Sequence, residues 1–126
     1  MRLLPALALT RLLAPADLAR ADGTPADTPV MEIVTFRLIA NTSDTAFLAA
    51  AHGTEVPLRA QPGFLGRSLT RSAVGLWTDH VLWFSLETAT TAAKAMMAEP
   101  AFAPFMALID GPTVTMRHDA LLWQMD

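Results

Sequence analysis

Few residues in this chain could do chemistry, and Asp79 and His118 lead them as candidate catalytic groups. A carboxylate or an imidazole accepts a proton from a bound molecule when it faces a pocket poor in water. Asp79 stands in the run Asp79-His80-Val81-Leu82-Trp83-Phe84-Ser85. Residues two apart on a strand share a face, so Asp79, Val81, Trp83 and Ser85 point one way and His80, Leu82 and Phe84 the other. One reading of that face is a pocket wall with an aromatic ring and a proton acceptor. The packing reading, with Trp83 in the core and Asp79 capping the strand end in water, ranks ahead of it, because buried aromatics mostly serve packing. His118 is a general base if it points into the pocket, and half exposed at a strand end otherwise. His80 fits an interface between copies.

Met96, Met97 and Met106, with Phe102 and Phe105, make an adaptable apolar wall. Such a wall is either core packing or the lining of a hydrophobic ligand pocket. Arg37, Arg67 and Arg71 would hold an anionic group or form interface ion pairs, and the interface reading is preferred. His52, His80 and His118 have no partner at metal-ligand spacing, so no metal site is expected. With no cysteine, thiolate chemistry and disulfides are excluded, and with no tyrosine one common proton donor is missing. There is no glycine-rich phosphate loop and no G-x-S-x-G elbow, so nucleotide cofactors and serine hydrolysis find no support.

These residues need a scaffold, and a chain of 126 residues supports one domain. A charged fraction of 17% against 52% apolar describes a globular chain, not a disordered one. The net charge of −3 leaves no basic patch for nucleic acid. Residues 1–21 read as a signal peptide: Arg2, an apolar middle, and Ala19-Arg20-Ala21 at the end. Arg11 and Asp17 oppose that reading, and the alternatives are an amphipathic helix or a start at Met31. Residues 22–29, with Gly23, Pro25 and Pro29, form a linker. Without residues 1–21, which hold Arg2, Arg11, Arg20 and Asp17, six basic and eleven acidic residues remain and the charge is −5. The mature form is expected to be exported, to the periplasm, without a membrane span; the alternative is a cytoplasmic protein.

Residues 30–40 form an apolar strand, with Val34, Phe36 and Leu38 on one face and Ile33 and Ile39 on the other. Ser43 and Asp44 open a helix whose face carries Phe47, Ala51 and Leu58, made irregular by Gly53 and Pro57. After Gln61-Pro62-Gly63, residues 64–71 and 77–84 pair as an antiparallel hairpin. Ser85 caps the next helix, with Leu86, Ala89, Ala93, Met96 and Met97 as its buried stripe. Pro100 ends that helix, Pro104 permits a short turn, and residues 113–123 form the last strand. The order β-α-β-β-α-β is the ferredoxin-like α+β arrangement, a four-stranded antiparallel sheet with two helices on one face. The other face would carry large apolar residues, for which a homodimer packed sheet on sheet is the natural cover.

This pattern resembles the dimeric α/β-barrel superfamily, and within it the antibiotic biosynthesis monooxygenase-like domains. The residues that carry the resemblance are Gln61-Pro62-Gly63-Phe64, the strand from Asp79 to Ser85, the helix from Glu87 to Met97, and Phe102-Ala103-Pro104-Phe105. It covers residues 30–123 and implies an apolar pocket between sheet and helices. Family members include cofactor-independent oxygenases of polycyclic phenols and quinol-like compounds, haem-degrading proteins, and many without known activity. Trp83 matches the strand-to-helix Trp of the haem-degrading members. Met106 falls where they place their haem-ligating His, and Phe36 where they place an Asn, which disfavours haem. The resemblance implies a domain at residues 30–126 that binds an apolar or aromatic small molecule without a cofactor. Phe36, Trp83, Met96, Phe102 and Met106 would touch that molecule. As an enzyme it would be a monooxygenase in which Asp79 or His118 handles the proton. The alternative is a non-catalytic binding or assembly domain, whose mark would be a pocket filled by Met96, Phe102 and Met106. N-terminal sequencing of the protein from its host is expected to show cleavage after Ala21; an intact Met1 would refute export by this leader.

Overall fold

The computed structural model describes residues 23–126, and the expected leader lies outside them. Four strands, β1 (Val30–Phe36), β2 (Phe64–Arg71), β3 (Trp77–Trp83) and β4 (Thr115–Ala120), form one antiparallel sheet in the order β2-β3-β1-β4. The connections β1 to β2 and β3 to β4 each skip one strand, as the ferredoxin-like α+β fold requires. β1 stops at Phe36, short of the expected residue 40, and Leu38 instead makes an isolated bridge with Ile109. β4 is shorter than residues 113–123: Gly111–Thr113 is a 3₁₀ turn, and Trp123 beyond the strand is 76% exposed.

The first expected helix is divided in two, and the second stands as one helix followed by the expected short turn. The first is α1 (Asp44–His52) and α2 (Glu55–Arg59), broken at Gly53 and Thr54. The Ser43 hydroxyl accepts from Ala46 N and starts α1. α3 (Leu86–Met97) begins at a full capping box: Ser85 Oγ accepts from Thr88 N, and Thr88 Oγ1 accepts from Ser85 N. After Pro100 come a 3₁₀ turn and α4 (Ala103–Ala107). The buried stripe of α3 is Ala89, Ala92 and Met96, not Ala93 and Met97, and Met97 is largely exposed. The expected stripe followed a slightly different angle around the helix.

The helices pack on one face of the sheet and divide the core into two clusters. Val30, Val81 and Trp83 meet Leu58, Ala89, Ala92 and Met96 in one. Phe36 and Trp77 meet Phe47, Ala51 and Phe105 in the other, with rings at edge-to-face and stacked spacings. Phe102 touches both clusters.

The outer sheet face is more polar than expected. Met31, Ile33 and Leu82 lie on it, but a row of four threonines, Thr70, Thr78, Thr35 and Thr115, crosses the sheet by register. The Thr35 and Thr115 hydroxyls are hydrogen-bonded to each other. His80, Ser68, Arg117 and Asp119 also lie on this face, the last two as an ion pair at 2.9 Å.

Gly63 couples the hairpin to α3. Its φ is +85°, and a Cβ there would lie 2.6 Å from Thr88, a member of the capping box. Gly63→Ala is therefore expected to lower the unfolding free energy in urea by about 2 kcal/mol or more, combining a left-handed alanine with a clash. Gly66→Ala, where an added Cβ meets nothing within 4 Å, should stay within about 0.5 kcal/mol.

Candidate functional site

The inner row of β3 is Trp77, Asp79, Val81 and Trp83, all buried. Asp79 therefore sits between the two core clusters and needs a partner there, because an isolated buried carboxylate is strongly disfavoured. Arg67 of β2 supplies it with a fork: Nε donates to Oδ1 at 2.9 Å and Nη2 to Oδ2 at 2.8 Å. The two side chains are 11% and 10% exposed. The third guanidinium nitrogen, Nη1, donates to Thr54 Oγ1 at 2.8 Å, and Thr54 in turn donates to the carbonyl of Ala51. The break between α1 and α2 is what brings Thr54 inward, fully buried. The guanidinium carbon lies 5.1 Å from the centroid of Phe105.

This corrects the expectation of interface pairs for Arg67. Strict alternation counted from the inward Phe64 would turn Arg67 outward. A β-bulge between Phe64 and Gly66 adds one residue, so Phe64 pairs with Trp83 and Arg67 with Val81, both inward. Gly66 in the strand interior is the sequence signal for that bulge. Of the other two arginines, Arg71 pairs with Asp44 at 3.0 Å, and Arg37 donates to the Val74 carbonyl.

A second polar pair lies across the sheet. Glu32 of β1 is opposite both Val81 and His118, and His118 Nε2 is 3.0 Å from Glu32 Oε2. Glu32 was not among the sequence candidates. Its partner is 86 residues away, and only the β1–β4 register brings them together.

A cavity of about 210 Å³ lies where the two core clusters would otherwise meet. Phe36, Trp83, Met96, Phe102 and Met106 all line it, as do Asp79, Arg67 and Glu32. His118 does not; it stands behind Glu32, toward solvent, with 21% of its side chain exposed. Trp83 is buried and its indole Nε1 has no hydrogen-bond partner. The cavity thus offers an apolar slot with a carboxylate on its wall. A separate groove runs between α1, α2 and β2; there a hydrogen bond from His52 holds the exposed Glu55 carboxyl below its ordinary pKa. Among the described residues, no group of three or more histidine and acidic side chains could hold a metal.

No family model matches the chain, and no curated protein matches it. Solved structures do. The chain is similar to a putative antibiotic biosynthesis monooxygenase from Bordetella bronchiseptica, with a TM-score of 0.65 at 14% identity over 76% of this chain and 99% of that one. A putative antibiotic biosynthesis monooxygenase from Nitrosomonas europaea gives a TM-score of 0.61 at 11% identity, covering 79% and 96%. SnoaB, a cofactor-independent oxygenase from Streptomyces nogalater, gives 0.53 at 20% identity, again covering 79% and 96%. The fold is that of the antibiotic biosynthesis monooxygenase structures, as the resemblance implied.

Removing one partner of the inner ion pair should be far worse than removing both. Arg67→Ala is expected to destabilise by about 3–5 kcal/mol by leaving Asp79 charged and buried, whereas Arg67→Met with Asp79→Leu recovers most of that loss. Urea unfolding of the two variants beside the wild type measures both.

Proposed function

We propose that this chain binds a small apolar ring molecule in the cavity beneath α3 and α4, and oxygenates it without metal, flavin or haem. The carrying observation is the open space among Trp83, Met96, Phe102 and Met106, which a filled core would have closed. An engineered apolar cavity of about 150 Å³ accepts benzene. The 210 Å³ here suits one substituted ring or two fused ones. Trp83 and Phe36 would flank the ring, and the Met/Phe wall would adapt to its edge.

In the oxygenase reading a base takes a proton from an electron-rich phenol, and the resulting anion reacts with dioxygen in a site that excludes water; one oxygen atom stays on the ring as a quinone carbonyl and the other leaves as water, the substrate itself supplying the electrons and protons. Both Asp79 oxygens already accept from Arg67, so the His118 side of the cavity is the better placed to receive that proton. The fold shared with SnoaB supports this class. The occupied state of Asp79 favours the second reading, a binding domain that does not turn its ligand over. Two further elements belong to the proposal. A second copy would cover Met31, Ile33 and Leu82 on the outer sheet face, and the mature domain would be exported. No helix among the described residues is long and apolar enough to cross a membrane.

Oxygen uptake across a panel of quinols and one- and two-ring polyphenols tests the reaction. Turnover is expected for at least one member, and Trp83→Phe should lower it about tenfold or more by shrinking the aromatic surface that positions the ring. Uptake by no member, with ring binding intact, would leave the binding reading in its place.

A further inference from the structure

We infer that Glu32 is the cavity's acceptor for a ring hydroxyl, with His118 as its positioning residue, which makes the preferred ligand a neutral hydroxylated ring and not an aromatic acid. The inference rests on the ring-binding reading above. Glu32 is 9% exposed, yet it lines the cavity. Its Oε2 is taken by His118 Nε2, and among the described residues no side chain or backbone group donates to its Oε1. Facing a carboxylate, the imidazole serves as donor through Nε2–H. Oε1, without a donor among the described residues and not sealed from solvent, is free to accept from a donor that enters the cavity.

The other charges of the cavity do not compete for that role. Arg67 spends Nε and Nη2 on Asp79 and Nη1 on Thr54, so its positive charge is matched inside the protein. The helical wall of the cavity contributes Ala92, Met96, Phe102 and Met106, none of them charged. Glu32, hydrogen-bonded through Oε2 alone, is then the carboxylate that faces a ligand, and it repels another carboxylate. Trp83 adds direction. Glu32 is opposite Val81, and Trp83 lies two residues further along β3, which puts the two side chains on a cross-strand diagonal of about 7–8 Å. A ring whose hydroxyl meets Glu32 thus lies along the Trp83 side of the cavity.

Calorimetric titration with 2-naphthol, 2-methoxynaphthalene and 2-naphthoate tests this on the intact protein. Wild type should bind 2-naphthol at least about tenfold more tightly than the methyl ether, the ratio expected of a hydrogen bond to a charged group, and bind the carboxylate most weakly. Glu32→Gln should cut the hydroxyl preference to about threefold or less and relieve the rejection of 2-naphthoate, since a neutral amide replaces the charge. His118→Ala should lower the preference, and His118→Gln, whose amide N–H can stand in for Nε2–H, should restore it. A preference unchanged in Glu32→Gln, or wild type that binds 2-naphthoate as tightly as 2-naphthol, would overturn the inference and leave the ring pocket standing. If none of the three binds wild type, the pocket reading itself fails and this one with it.

Discussion

The ion pair of Arg67 and Asp79 constrains everything around it. Two charges with side chains about one-tenth exposed must be matched almost completely, or the folded state loses several kcal/mol. That demand sets the position of β2 against β3, draws Thr54 inward at the break between two helices, and places a cation against the face of Phe105. It also keeps the apolar core from fusing. One cluster forms around Trp83 and α3, another around Phe47 and α4, and the cavity lies between them with the pair on its wall. A hydrocarbon core of the same volume could close that gap, as such replacements for buried ion pairs often do.

The cavity follows from the same division of labour. Its soft wall comes from α3, which ends at Met97, and from the 3₁₀ turn Pro100–Phe102 with α4, so Phe102 and Met106 reach it from a short, separate segment. Its floor comes from the sheet, where register fixes which polar groups can meet. Val81 lies between Arg67 on one side and Glu32 on the other, and beyond Glu32 stands His118. The two polar pairs are thus held apart by one valine, the first neutralised internally and the second still facing the cavity.

Much of this was readable from the chain. Period two on β3 places Asp79 with Trp83 and sends His80 to the far face; Ser43 and Ser85 mark the helix starts where the structure has them, while α3 stops at Met97, ahead of Pro100. What escaped depends on pairing at a distance or on a single irregularity. Glu32 read as one polar residue in an apolar strand, because its partner His118 becomes a neighbour only through the sheet. Arg67 reads as an interface cation because a bulge cannot be seen in a count of alternating residues. Met97 was placed in the core because the buried stripe of α3 runs through Ala92, a few tens of degrees around the helix from the stripe expected. The outer face was read as apolar because its threonines align only once four strands are laid side by side.

That bulge has a consequence for how the site is written into the chain. Phe64 and Arg67 are three apart, a spacing that a regular strand sends to opposite faces, and both face inward because Leu65 is left without a place in the ladder. Leu65 is 53% exposed and outside the pairing. The sheet therefore holds one residue more than its pairing needs. A chain shorter by that residue could keep the same Arg67–Asp79 contact, whereas a gap one step later, between Gly66 and Arg67, would bring the arginine out of phase with Asp79. The site is encoded in chain length as well as in side-chain identity, and an alignment of relatives that ignores gaps here would mismatch the residue on which the core turns.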